Sequence, residues 1–256
     1  MQPTYWQKQT HSKPLYPNMI WDRPENRMHA GKLLIIGGNS GGFAFIAEAY
    51  GEADKAGIGT TRAILPSSLA RTLRDVFPEA EYVSKTPSGS FARESLGELL
   101  SSSLWADGVL LPGDLGRNSE TAILVESFMT KYHAGLTLAG DAVDYFLDIP
   151  TVLDRSDTTL VVTLQQLQKL AAHHGIALTS QLPLMTLIER LHELSEQHAA
   201  SIVLVGDSET HIAHQGDIVT TPCKKSTTTI AAHAAVWRLQ NPSKPLEALA
   251  SSLAEL

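Results

Sequence analysis

From Lys32 onward the chain alternates short apolar runs, several of them closed by glycine, with stretches of helical period, and this alternation most tightly limits its fold. The first run, KLLIIGG at 32–38, carries four apolar residues in succession before the glycines. A strand buried on both faces needs that pattern, whereas a half-exposed strand would alternate with polar residues. A helix is predicted at 43–50. Further strands are predicted within AGIGTTRAILPSS (56–68) and at 106–111, 134–139, 160–163 and 201–205. Helices are predicted at 69–76, 120–132, 164–173, 230–239 and 246–253, and one more has Leu184, Ile188, Leu191 and Leu194 along a single face. HIAHQGDIVTT reads as an antiparallel pair turning at Gln215-Gly216. Strands that alternate with helices build βαβ units, so the expected class is α/β with a mostly parallel sheet covered on both sides.

Residues 1–31 have a different character. They hold Pro3, Pro14, Pro17 and Pro24 among Tyr5, Trp6, Tyr16 and Trp21, without a sustained period. Proline fixes φ and removes a donor, so an extended arm with at most one short helix is expected. Trp21 is expected to pack on the body or on a partner subunit. Residues 32–256 show no internal linker and are expected to form one domain. Of the 256 residues 43% are apolar and 18% charged, the balance of a globular chain rather than a disordered one. A net charge of -7 argues against nucleic acid as a partner, because phosphate binding needs clustered Lys and Arg. No apolar run approaches the roughly 20 residues that cross a bilayer, so no membrane is expected either. One cysteine fits a reducing compartment, and the N-terminus lacks a secretory apolar core. The expectation is cytoplasmic. The ten histidines show no metal-ligand spacing.

In parallel sheets ligands collect at the carboxyl ends of the strands. Three turns fall there: 37–42, 112–117 and 140–141. In the first, Gly37, Gly38 and Gly41 either admit a ligand close to the backbone or only permit tight strand–helix packing. In the second, Gly113 and Gly116 bracket Asp114, which either contacts a ligand or caps a helix. Asp141 in the third has the same two readings. Ser226, Thr227, Thr228 and Thr229 open the last buried helix, where free N–H groups either hold an anion or are satisfied by the hydroxyls.

Taken in order, Arg23, His29-Ala30-Gly31, IIGGNSGG at 35–42, Pro78-Glu79, PGDLG at 112–116, AGDAV at 139–143, VTLQ at 162–165 and LVG at 204–206 resemble the NAD(P)H-hydrate dehydratase family. This carbohydrate kinase-like family belongs to the ribokinase-like superfamily. The resemblance implies a three-layer α/β/α sandwich, a cleft for ADP or ATP with Mg entering only with the nucleotide, and a homo-oligomer. It casts Gly37, Gly38, Gly41, Gly113, Gly116 and Ser226 to Thr229 as cofactor-binding positions. The pattern departs where that family has Gly-Ser/Thr-Gly-Asp, its anion hole and base, because here Lys225 to Thr229 stand there. Threonine does not accept a proton near neutral pH, so any catalytic carboxylate would have to be Asp141 or Asp114. Three readings follow. The first is a catalytically degenerate relative that keeps a small-molecule or nucleotide cleft. The second is an active dehydratase or small-molecule kinase with a rebuilt anion site. The third is an oligomeric α/β binding protein without catalysis.

Overall fold

The computed structural model describes residues 3–147, 149–179 and 182–256. In chain order the elements are β1 (Trp6–Lys8), β2 (Lys32–Ile36), α1 (Ala44–Lys55), β3 (Thr60–Pro66), α2 (Ala70–Leu73), β4 (Ala80–Val83), α3 (Leu96–Ser103), β5 (Gly108–Leu111) and α4 (Ser119–Lys131). There follow β6 (Gly135–Leu138), α5 (Asp141–Phe146), β7 (Thr158–Thr163), α6 (Leu164–His173), α7 (Leu184–Glu196), β8 (Ser201–Val205), β9 (Glu209–His214), β10 (Asp217–Pro222), α8 (Thr227–Gln240) and α9 (Pro245–Glu255).

All the strands join one sheet in the order β1-β10-β9-β8-β7-β6-β5-β2-β3-β4. Only β9 runs against its neighbours; every other pairing in the sheet is parallel. The apolar run at 32–38 explains the two-sided covering. Leu34 and Ile36 enter one core with residues of α3 to α7, while Leu33 and Ile35 enter a second core with α1, α8 and α9. Successive side chains of a strand point to opposite faces, so four apolar residues in a row require a helix layer on each side. The result is the expected mostly parallel α/β sandwich.

The helix at 164–173 and the strand at 201–205 have the expected bounds, the former closed by a capping box in which Thr163 and Gln166 serve each other. The 215–216 turn joins β9 to β10, with Gln215 at φ 48° and Gly216 at φ 87°, the left-handed pair that a two-residue hairpin turn needs. The helix expected at 69–76 shrinks to the single turn α2. The strand β4 and the helices α3 and α5 were not anticipated. They are short, and α3 (LGELLSSS) mixes glycine and serine into its apolar stripe.

The N-terminal arm differs most from expectation. Trp21 is 84% exposed and does not pack on the body, whereas Trp6 is 6% exposed. The reason is local. The segment Pro17–Asp22 is a 3-10 helix that turns Met19 inward, and a residue two positions on in a three-residue turn faces away. Trp6 lies on β1, which adds a parallel edge strand to β10, and its indole Nε1 donates to Thr220 Oγ1 at 2.8 Å. Gln9 Nε2 donates to Thr221 Oγ1 at 2.8 Å and to the Ala250 carbonyl at 2.7 Å, fastening the arm to β10 and α9.

Removing the Trp6 ring should therefore loosen this sheet edge. Trp6→Ala should lower the unfolding free energy by about 3 kcal/mol, the cost of deleting a large buried aromatic, in urea denaturation of the full chain. Trp6→Phe, which loses the indole donor and part of the buried ring, should cost less, about 2 kcal/mol.

Candidate functional site

Strands β6, β5 and β2 are neighbours and run the same way, so the turns that leave their carboxyl ends meet at one edge of the sheet. At Gly37 and Gly140 the glycine is there for the approach of backbone to backbone. A Cβ on Gly37 would lie 2.5 Å from the Gly113 carbonyl oxygen, closer than any side chain is tolerated. Gly38 and Gly41 belong to a small closed turn. Its ends are joined by Asn39 N–H to Gly42 O at 2.9 Å and Gly42 N–H to Asn39 O at 3.0 Å. The Asn39 side chain accepts from Gly41 N–H at 2.7 Å and donates to the Asp114 carbonyl at 2.7 Å.

The two candidate carboxylates knit these turns together. Asp114, at φ 59°, accepts the Phe45 N–H at 2.9 Å and so caps α1 from a distant loop. Asp141, the first residue of α5, accepts Leu115 N–H at 3.3 Å and Gly116 N–H at 3.2 Å. Burial pushes its carboxyl above the usual carboxylate range, and the charges of Asp114 and Asp144 act in the same direction. The two backbone N–H groups oppose that rise without cancelling it.

Beside Asp141 opens a cleft of about 480 Å³ between the 116–119 loop, α4, α5 and α6. Gly116 and Asp141 are the expected site residues that line it. Arg117, Asp144, Tyr145 and Lys169 line it as well. The Lys169 ammonium pairs with Asp144 at 2.9 Å, Gln166 Nε2 donates to the Gly140 carbonyl at 2.8 Å, and the Tyr145 hydroxyl bonds the Gly116 carbonyl. Asp141, Asp144 and Tyr145 share one face of α5, a helix that was not anticipated, and Lys169 comes from α6 beyond β7.

Ser226 to Thr229 do not line that cleft. They begin α8 in the other helix layer, with Thr228 and Thr229 buried. Ser226 Oγ caps the helix by accepting the Thr229 N–H at 3.0 Å. The Ser226 and Thr229 hydroxyls both donate to one oxygen of Glu48 on α1, the latter at 2.9 Å. A turn further along, Glu52 meets His233 at 3.2 Å and Lys55 at 2.6 Å. The Lys55 hydrogen bond, supported by His233, holds the Glu52 carboxyl below its usual range. Glu48 thus puts a carboxylate where the α8 N-terminus would otherwise favour an exogenous anion. With Glu48 on these hydroxyls, a phosphate at this helix end would meet a like charge. Sequence reasoning missed Glu48, which lies 178 residues from Ser226. Among the described residues no group of three or more His, Cys, Asp or Glu converges as a metal site, and no helix is long and apolar enough to cross a membrane.

The Asp141 environment makes a pH prediction. Its folded pKa is raised, so between the unfolded value near 3.9 and the folded value the native state binds more protons than the unfolded chain. Its contribution to stability should therefore fall as pH rises through that window. Carbon-13 carboxyl NMR should place the Asp141 midpoint above about 3.9, and Asp141→Asn should remove that part of the pH slope in chemical denaturation.

No family's sequence pattern matches this chain, and no curated protein matches it by sequence. Solved structures do match it. A ribokinase-like superfamily protein from Enterococcus faecalis superposes with a TM-score of 0.74 at 18% identity, over 99% of this chain and 87% of that one. The ADP/ATP-dependent NAD(P)H-hydrate dehydratase from Bacillus subtilis, co-crystallised with ATP/Mg2+, gives 0.60 at 15% identity over 89% and 79%. The pyridoxal kinase of Bacillus subtilis in an ADP complex gives 0.55 at 10% over 88% of each. With its single mostly parallel sheet between two helix layers, the chain has the ribokinase-like fold.

Proposed function

We propose that this chain is a catalytically degenerate, ribokinase-fold small-molecule-binding protein. Its ligand occupies the cleft over Gly116, Asp141 and Lys169. The hydrogen bonds from Ser226 and Thr229 to Glu48 carry this reading. They set a carboxylate of the chain itself beside the α8 N-terminus, at the position that the resemblance assigns to nucleotide phosphate and to the catalytic aspartate. Thr228 and Thr229 supply no base in its place. The cleft offers Arg117 and Lys169 as cations, Asp141 and Asp144 as carboxylates and a phenol at Tyr145. That set matches a polar, hydroxyl-bearing small molecule, which can both donate to and accept from it.

One observation favours a second reading, an active nucleotide-dependent enzyme. Glu48 brings a carboxylate to Thr229, so the base missing from α8 would be supplied by α1. Nucleotide would then bind with Glu48 turned off the two hydroxyls.

A single variant separates the two readings. On the first, Glu48→Gln removes the like charge and should strengthen ADP binding about tenfold in calorimetric titration, with no turnover of NAD(P)H hydrate by either form. On the second, the wild-type chain turns the hydrate over with ADP or ATP and Mg2+, and Glu48→Gln abolishes that turnover. ADP binding that is tight in the wild type and unchanged in Glu48→Gln would remove the first reading's central support.

A further inference from the structure

The opposite edge of the sheet carries a larger cavity that the cleft does not explain. There the amino ends of β2, β5, β6 and β7 face the last turn of α8 and the start of α9, which stand off the sheet and leave about 690 Å³. That volume lies within the range of small-molecule sites. Its apolar wall on the α8 side includes Leu33, Ala235 and Leu239, which belong to the core under α1, α8 and α9.

Two polar side chains of this wall have capacity left over. His214 is 8% exposed, and its Nδ1 lies 3.0 Å from Ser201 Oγ. Among the described residues no other group bonds its ring, which leaves Nε2 to the cavity. Burial lowers its pKa, the nearby Arg238 charge acts in the same direction, and Glu247 and Asp217 oppose. Burial thus favours the neutral ring, and in the tautomer in which the Ser201 hydroxyl donates to Nδ1 the proton sits on Nε2 as a donor. Arg238 donates only to backbone carbonyls, Pro242 at 3.1 Å and Ser156 at 3.3 Å, and its buried Nε has no partner. Among the described residues no carboxylate lies in ion-pair contact with it. The cavity's two carboxylates are already engaged, Asp107 by the Lys32 N–H at 2.9 Å and Asp157 by Arg155 at 3.3 Å. Arg238 thus feels the Asp157 charge nearby but has no carboxylate bonded to it, which leaves its guanidinium open to an anion.

We propose that this amino-edge cavity is a second binding site, for a small monocarboxylic acid. Its carboxylate pairs with Arg238 and accepts from His214 Nε2, and its apolar body lies on Leu33, Ala235 and Leu239. One negative charge matches one cation, whereas a dianionic phosphate would be repelled by Asp107 and Asp157. The site is separate from the cleft at the carboxyl edge, so it stands or falls independently of the function proposed for that cleft.

Hexanoate is a suitable probe, with hexan-1-ol, hexylamine and inorganic phosphate as controls, in calorimetric titration of the full chain. Hexanoate should bind saturably and the three controls should not. Arg238→Gln should weaken it at least about tenfold, the loss of one charge-assisted hydrogen bond. Ala235→Met, which fills the cavity without touching the Arg238 carbonyl contacts, should abolish binding. In the wild-type protein the Hε1 proton resonance of His214 should move with hexanoate, and this measurement decides the matter if either variant fails to fold. No saturable hexanoate binding, equal binding of hexan-1-ol or hexylamine, unchanged affinity in a folded variant, or a motionless His214 signal would each overturn the proposal.

Discussion

The structure depends on strands that have no solvent face. In β2 the four consecutive apolar residues divide between two cores, Leu34 and Ile36 on one side and Leu33 and Ile35 on the other. Each such side chain is worth roughly 1.5–3 kcal/mol when fully removed from water, and a hydrogen bond about 1 kcal/mol net. Packing therefore sets the architecture: helices must cover both faces, and the chain must cross the sheet after nearly every strand. Parallel strands then deliver their outgoing turns to one edge, which is why 37–42, 112–117 and 140–141 lie together although they are far apart in sequence.

Polar contacts do the finer work of holding those turns in place. Asp114 and Asp141 each accept backbone N–H groups from a different segment, so the loops are tied by carboxylates rather than by apolar burial. Burial of Asp141 makes that arrangement pH-sensitive, because its charge is kept at a cost that its backbone donors only partly offset. Between α1 and α8 the carboxylates engage side chains instead, Glu48 the Ser226 and Thr229 hydroxyls and Glu52 the His233 ring. Two acidic residues one turn apart thereby tie α1 to a helix that is buried along most of its length.

The two edges of the sheet consequently differ in chemistry. The carboxyl edge is dense with paired charge around a modest cleft. The amino edge is roomier and carries a guanidinium bonded only to carbonyls.

The sequence by itself determined the fold class, because two-sided burial, helical period and a Gln-Gly hairpin turn are written in residues that are neighbours along the chain. The strand at 201–205 and the helix at 164–173 were legible to the residue for that reason. It also marked Asp114 and Asp141 as residues at strand ends. Tertiary structure alone decided what they touch, since their donors come from other segments. It likewise decided that Trp6 rather than Trp21 is buried, because one joins a strand and the other rides the outer face of a 3-10 turn. Glu48 reaches α8 across 178 residues, and Arg238 meets Ser156 across 82. Such pairs leave no periodic trace in the sequence. They exist only once the sheet has brought distant helices and turns together.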